Sequence, residues 1–351
     1  MANFWQNLQL IGCTVSVLWA HNQWYTGTVT QFNARNRQHC VVYEDGEEKW
    51  YRMGSKTFFI AKRRGDIGIE KKEDHIVEEK LENGEDFSME YLLAQAVLHE
   101  CFGNVTQQTG YRTDGHLCIT EDDRNEADEN GASLLYGEVL PRGVNKILDR
   151  FHLDAASAES LFDLGMGTGK LALQAFLQFP NLRRVVGIEL ATSRFVLGEN
   201  ALINLANKHP KDYAIVSHTA SQEITVADLR RFDRRIQFRR ENLFEARDAR
   251  SGDIIILQTN FPAVALSPLC LLLSSLKDGA LVLTYLNLMP LWTRGSSILH
   301  QLEVNKPQSD RFATSWSLHR GCHFFLWEKG SRDMFGNYTL SRRRGESAQY
   351  Q

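Results

Sequence analysis

Hydrophobic and polar residues change rhythm twice along this 351-residue chain. Between residues 12 and 53 they alternate one by one. GCTVSVLW, WYTGTVTQF and HCVVYEDGEEKWYRM each put apolar side chains on one face of an extended segment. Glu44-Asp45-Gly46 supplies a hairpin turn. The pattern predicts four short strands and hence a small all-β barrel over residues 1–62. Residues 63–87 are charged and poor in large apolar groups, which predicts a solvated linker.

From Ser88 the period becomes helical. SMEYLLAQAVLHECFG places Met89, Leu92, Leu93, Ala96 and Val97 on one face. Residues 106–132 are polar and read as a long loop, and Pro141 opens another helix. From Ser160 strands and helices alternate: SLFDL, RVVGIEL, RIQFRREN, DIIILQTN and GALVLTYL are strands, separated by helical runs such as KLALQAFLQF. Such alternation predicts an α/β unit with a parallel sheet and right-handed crossovers. RFATSWSLH and CHFFLWEKG close it with an antiparallel hairpin placed at Arg320-Gly321. That is the shape of a class I methyltransferase. The expected layout is a barrel at 1–62, a linker at 63–87, a lead-in at 88–159, a core at 160–335 and a basic tail at 336–351.

Composition narrows the class. A formal net charge of -3 argues against a strongly basic nucleic-acid binder. The six cysteines include no C-x-x-C pair, which argues against zinc ribbons and disulfide frameworks. The histidines show no metal-ligand spacing, so no metal is expected. MANFWQNLQL has no signal-like apolar run, and no stretch is apolar enough to span a bilayer. The reading is a nuclear protein, with the cytoplasm as the alternative.

The chemistry concentrates at strand ends, where open α/β sheets bind ligands. Asp163 is followed by Gly165, Gly167, Thr168 and Gly169. An acid at the mouth of a glycine turn repels phosphate and suits a ligand whose nearest charge is positive. S-adenosylmethionine carries a sulfonium and an ammonium. Glu189, at the end of the next strand, can accept from both ribose hydroxyls. Asn242 can accept from the adenine amino group, with Leu243 packing beside the ring. Asn260 and Phe261 follow the fourth strand, where the methyl group is presented. An amide there can aim an amine lone pair, and Phe261, Trp316, Phe324 and Phe325 can wall a dry channel.

These elements occur in a telling order: Tyr136-Gly137-Glu138, DLGMGTGK, Glu189, Asn242, Thr259-Asn260-Phe261, Ser315-Trp316 and Phe324-Phe325-Leu326. In this they resemble the disruptor-of-telomeric-silencing family of non-SET histone lysine methyltransferases, over roughly residues 88–330. The resemblance implies that Tyr136 and Glu138 lie in the loop closing over the methionine end of the cofactor. It implies Asp163, Gly165 and Gly167 for the cofactor turn, Glu189 for the ribose, Asn242 and Leu243 for the adenine. Asn260 and Phe261, with Trp316 and Phe324 or Phe325 opposite, would line the lysine channel. It also implies a nucleosome or histone partner. The chain departs from the family at Met166, Lys170, Asn242, Thr259 and the Phe-Phe pair, where the family has Ser, Gln, an acid, a second Asn and a tyrosine-containing pair. Open alternatives are a non-histone protein, RNA or small-amine acceptor, and an inactive chromatin-binding adaptor.

The amino-terminal stretch resembles Tudor-like chromatin readers, which hold methylated lysine or arginine in an aromatic cage. Trp19, Tyr25 and Tyr43, with Asp45, are the expected cage for a methylated peptide. Arg230, Arg231, Arg234, Arg235, Arg239 and Arg240, with Lys62–Arg64 and Arg342–Arg344, are candidate DNA phosphate contacts.

Overall fold

The computed structural model describes residues 14–18, 24–33, 36, 38–43, 45–52, 58–62, 88–103, 113–292, 298–302, 310–332 and 338–339. Trp19, the 63–87 linker and the basic tail from 340 onward lie outside them. The chain divides into two compact units, Met1–Ala96 and Val97–Gln351.

In the first unit, β1 (Thr14–Leu18), β2 (Trp24–Asn33), β3 (Gln38–Tyr43), β4 (Glu48–Tyr51) and β5 (Phe58–Lys62) form an antiparallel sheet ordered β4-β3-β2-β1-β5. The fifth strand escaped the sequence pattern because FFIAK is a continuous apolar run without alternation. Val15, Val17, Val29, Val41, Tyr43 and Tyr51 make the core. Gly27 faces Tyr43 across the ladder, and a Cβ there would sit 2.7 Å from the Val42 carbonyl.

In the second unit, five parallel strands run in the order β12 (Leu281–Thr284), β11 (Ile254–Leu257), β6 (Ser160–Leu164), β7 (Arg184–Glu189), β10 (Arg235–Arg240). Antiparallel strands extend both edges: β9 (Glu223–Asp228) and β8 (Tyr213–Thr219) beyond β10, β16 (Phe325–Lys329) and β13 (Leu299–Gln301) beyond β12. The central strands are buried on both faces, so they read as apolar runs rather than alternating ones. Ile254 and Ile256 of β11 belong to one core layer, Ile255 and Leu257 to the other. Helices Pro141–Ile147, Lys170–Gln178 and Thr192–Lys208 cover the first layer, and Leu266–Ser274 covers the second. The chain leaves β6 toward β7 and β10, then returns to place β11 on the other side of β6. The carboxyl ends of β6 and β11 therefore flank a topological switch point, where such sheets open a crevice.

Four expectations need correction. The segment read as a long polar loop contains helices Asp114–Leu117 and Glu121–Glu129. The second starts at a capping box in which Thr120 and Asp123 satisfy each other's backbone N–H groups. The β8–β9 hairpin went unread because most of β8 is exposed, including Ile215 and Val216, so no inside–outside rhythm marks it. In the closing region β14 (Arg311–Thr314) turns at Ser315-Trp316 into β15 (Ser317–His323), and Gly321 lies within β15 at φ 66°. Finally, the helix Met89–Phe102 buries Tyr91, Leu92, Ala94, Leu98 and Cys101, while Met89 and Leu93 are exposed.

Most of the arginine run is engaged with internal partners, while Arg231 and Arg235 are exposed. Arg230 and Arg234 pair with Asp228, Arg239 with Asp248 and Glu241, and Arg240 with Glu126, while Arg231 donates to the Pro180 carbonyl. Arg234 and Asp228 are both buried, 2.8 Å apart, and Arg234 also donates to the carbonyls of Leu182 and Phe176. Arg234→Leu is expected to destabilise the fold by about 3 kcal/mol, because it leaves a buried carboxylate with Arg230 as its remaining cation and takes the donor from two carbonyls. The urea midpoint reads this directly.

Candidate active site

One cleft opens at the switch point. Its walls are the loop 130–139, the glycine turn 165–168, the end of β7, residues 241–244 after β10, and residues 258–262 after β11. The sequence-predicted residues Tyr136, Glu138, Gly165, Gly167, Thr168, Glu189, Asn242, Leu243, Asn260 and Phe261 all line it.

The glycine turn is shaped by backbone demands. Gly165, Gly167 and Gly169 have φ of 88°, 59° and 81°, a region that side chains avoid. A Cβ on Gly165 would lie 2.1 Å from Thr259 Oγ1, and one on Gly167 would lie 2.5 Å from the Tyr136 ring. Its N–H groups already have partners. Gly165 and Met166 donate to the Ile188 carbonyl, and Gly167 donates to Glu189 Oε2 at 2.8 Å. Those N–H groups are not turned outward to cradle a phosphate.

Asp163 sits one step below the lining. It is fully buried at the end of β6, and neither carboxylate oxygen has a hydrogen-bond partner among the described residues. Burial, reinforced by the nearby Glu189 carboxylate, pushes its pKa up to about 8. Such an acid is mostly protonated at neutral pH, and a cation placed beside it would favour the ionised form. Glu189 is different. Its Oε2 accepts from Gly167 and its Oε1 from Ala191 at 3.0 Å, and the Leu190 N–H also favours its charged form. Burial raises its pKa and Arg194 works against that rise.

Tyr136 and Glu138 form the opposite wall. The Tyr136 hydroxyl donates to Glu138 Oε1 at 2.6 Å. Its ring fits between Gly115 and Gly167, where any Cβ would collide with it, and the Arg194 guanidinium lies 4.3 Å from its centroid. Burial, then Glu138, raises the phenol pKa well above its ordinary value. Arg194 also donates to the carbonyls of Gly115 and Leu134, which fixes this wall to the helix Thr192–Lys208. Asn242 accepts from Phe244 N at 3.1 Å and donates to Asn130 at 3.2 Å, so it caps the strand end and ties the loop to it.

The acceptor side is placed only in part as expected. Asn260 and Phe261 line the cleft, and Phe261 packs near Phe244 with centroids 6.2 Å apart. Trp316 is 45% exposed, and its ring sits where a Cβ on Gly137 would come within 2.1 Å. Phe324, between β15 and β16, and Phe325, the first residue of β16, pack into different core layers. Phe324 is buried against Phe312 and Tyr285, and Phe325 stacks on Trp327 in the other core layer. Neither lines the cleft, so the predicted pair of channel walls reduces to core packing. Tyr285, which the sequence did not single out, stands edge-on to Trp316 at 6.1 Å. Arg194, Lys170 and Asn130 were also missed. An arginine within a helix and an asparagine in a polar loop carry no local signal of a shared site.

In the amino-terminal unit, Tyr25 and Asp45 are exposed, but Tyr43 is buried and its hydroxyl bonds Tyr51 at 3.0 Å. Tyr43 is a core residue that Tyr25 meets edge-on, not an open cage wall. Among the described residues no group of His, Cys, Asp and Glu can hold a metal ion, and no helix is long and apolar enough to cross a membrane.

The family model "Histone methylation protein DOT1" matches residues 117–327. No curated protein matches the chain. Among solved structures, a SAM-dependent O-methyltransferase from Thermotoga maritima is 10% identical, with 93% of this chain and 97% of that chain covered and a TM-score of 0.40. Trm1 from Pyrococcus horikoshii, solved with S-adenosyl-L-methionine, is 14% identical over 47% of this chain and 37% of that one, with a TM-score of 0.31. An Arabidopsis tudor domain in complex with an H3K4me1 peptide is 26% identical over 14% of this chain and 86% of that one, with a TM-score of 0.14.

Proposed function

The chain belongs to the DOT1 family of histone methylation proteins and is an S-adenosylmethionine-dependent methyltransferase, and from that premise we propose that it transfers methyl groups to a lysine of nucleosomal histone. The observation that supports the site assignment is Asp163, a buried acid with no partner beside a cleft at the switch point. The residues fit the cofactor: a lone carboxyl for the ammonium, the Glu189 carboxylate at the end of β7 for the ribose, and Asn242 with Leu243 on the cleft wall for the adenine.

When bound, S-adenosylmethionine supplies an electrophilic methyl group on a sulfonium. Asp163 balances the positive charge, and Tyr136 closes the wall above the glycine turn. Asn260 accepts from the acceptor amine and points its lone pair along the line of displacement, so that positioning carries most of the catalysis. Phe261 and Trp316 exclude water from the amine. A lysine ammonium has an ordinary pKa of about 10.4, and a dry apolar wall lowers it, so the amine gives its proton to bulk water as it enters the channel and arrives neutral. A nuclear location and a methylated-peptide ligand for the amino-terminal unit, met at Tyr25 and Asp45, belong to the same proposal.

The test offers labelled methyl donor with intact nucleosomes, free core histones and RNA in parallel. Label on histone lysine that requires intact nucleosomes is the expected result. Label on RNA, or on free histones in preference to nucleosomes, would refute the acceptor assignment.

A further inference from the structure

Lys170 is the first residue of the helix Lys170–Gln178, directly after Gly169. A cation at a helix amino terminus opposes the helix dipole, so local helix stability does not account for it. Its ammonium instead spans the cleft wall, meeting Glu138 Oε2 at 2.8 Å and Oε1 at 3.0 Å. The pair is almost enclosed, with side chains 11% and 6% exposed, and the ammonium also lies 5.8 Å from the Phe102 ring centroid. Glu138 Oε1 additionally accepts from the Tyr136 hydroxyl, with Thr168 Oγ1 at 3.4 Å. The Glu138 backbone exchanges hydrogen bonds with Ser315, its N–H donating to Oγ and its carbonyl accepting from N.

We infer that Lys170 is a positioning residue that latches the Tyr136–Glu138 wall onto the glycine turn before any ligand enters, an inference resting on the cofactor reading of this cleft. Two consequences follow from the contacts. The Glu138 carboxylate is neutralised by Lys170, so it is not the group that meets the ligand's ammonium. That task falls to Asp163, whose oxygens are unengaged. The wall is also held shut by an internal ion pair instead of by the ligand, so cofactor binding need not order it.

The test measures hydrogen exchange of residues 131–138 in the ligand-free protein and calorimetric affinity for S-adenosylmethionine. Both are read in wild type, Lys170→Met, Lys170→Arg, Glu138→Gln and the Glu138→Gln/Lys170→Met double variant. Lys170→Gln stands in if Lys170→Met does not fold. Lys170→Met is expected to speed exchange of the loop at least tenfold and weaken binding at least tenfold, and Lys170→Arg to restore both. The double variant is expected to lose no more affinity than the worse single variant, because both act through one contact. Unchanged exchange with lost affinity would mean that Lys170 touches the ligand directly and would overturn the latch. Additive losses would mean that Glu138 binds the ligand on its own and would overturn it equally. The exchange readout needs no ligand, so it stands even if the wild-type protein fails to bind the cofactor.

Discussion

Replacing Asp163 by asparagine is expected to weaken S-adenosylmethionine binding at least a hundredfold while making the ligand-free protein more stable. The first effect follows from losing the only unengaged buried carboxyl at the site. A charge-assisted contact contributes about 1.5–3 kcal/mol, and a hundredfold corresponds to about 2.7 kcal/mol. The second effect follows from the raised pKa of about 8. A carboxyl whose folded pKa lies above its unfolded value subtracts stability as pH rises between the two values. At about 1.4 kcal/mol per unit the penalty is on the order of 4 kcal/mol at pH 7 and on the order of 2 kcal/mol at pH 5. Asp163→Asn removes it, so the gain in melting temperature should be larger at pH 8 than at pH 5. Wild-type affinity for the cofactor should also climb from pH 6 to pH 7, as the acid ionises to meet a cation that itself keeps its proton up to about 7.7–8.0. In the variant the rise between pH 6 and pH 7 should vanish. Unchanged affinity in Asp163→Asn would refute the site.

Asn260→Ala is expected to leave cofactor affinity within about twofold and to lower turnover by on the order of a hundredfold or more. Asn260 follows β11, whose residues Ile254–Leu257 are fully buried between β6 and β12. Its neighbour Thr259 is seated against the Leu164 carbonyl and the Gly165 backbone. Asn260 thus follows a buried strand and an anchored neighbour, and a small displacement of the reacting nitrogen is expensive in rate. Equal losses in binding and turnover would show that Asn260 holds the cofactor instead of the acceptor. Single-turnover rates alongside calorimetry separate the two.

The sequence was most informative where one chemical demand sits in one short segment. The buried parallel strands announce themselves as apolar runs, and the glycines of 165–169 announce a backbone with positive φ. Asp163 and Glu189 could be paired because each ends a strand and the parallel order of such strands is constrained. What the sequence hid depends on register and on distance along the chain. Phe324 and Phe325 read as a pair, but Phe324 precedes β16 and packs into one core layer while Phe325 opens β16 and packs against the other, which only the fold shows. The arginine run reads as a basic patch, while its acidic partners come from positions as remote as Glu126. Lys170 reads as a departure at the end of a glycine motif, and its partner Glu138 lies in another segment.

We propose that this cleft carries methyl from S-adenosylmethionine to a histone lysine. The most direct test is transfer of radiolabelled methyl to intact nucleosomes by wild type and by Asn260→Ala at saturating cofactor, with the product hydrolysed to amino acids. The account predicts labelled methyl-lysine with wild type and its near disappearance with the variant, whose cofactor affinity is retained. Labelled methyl-lysine that persists in Asn260→Ala, or no label on histone despite measured cofactor binding, would contradict it.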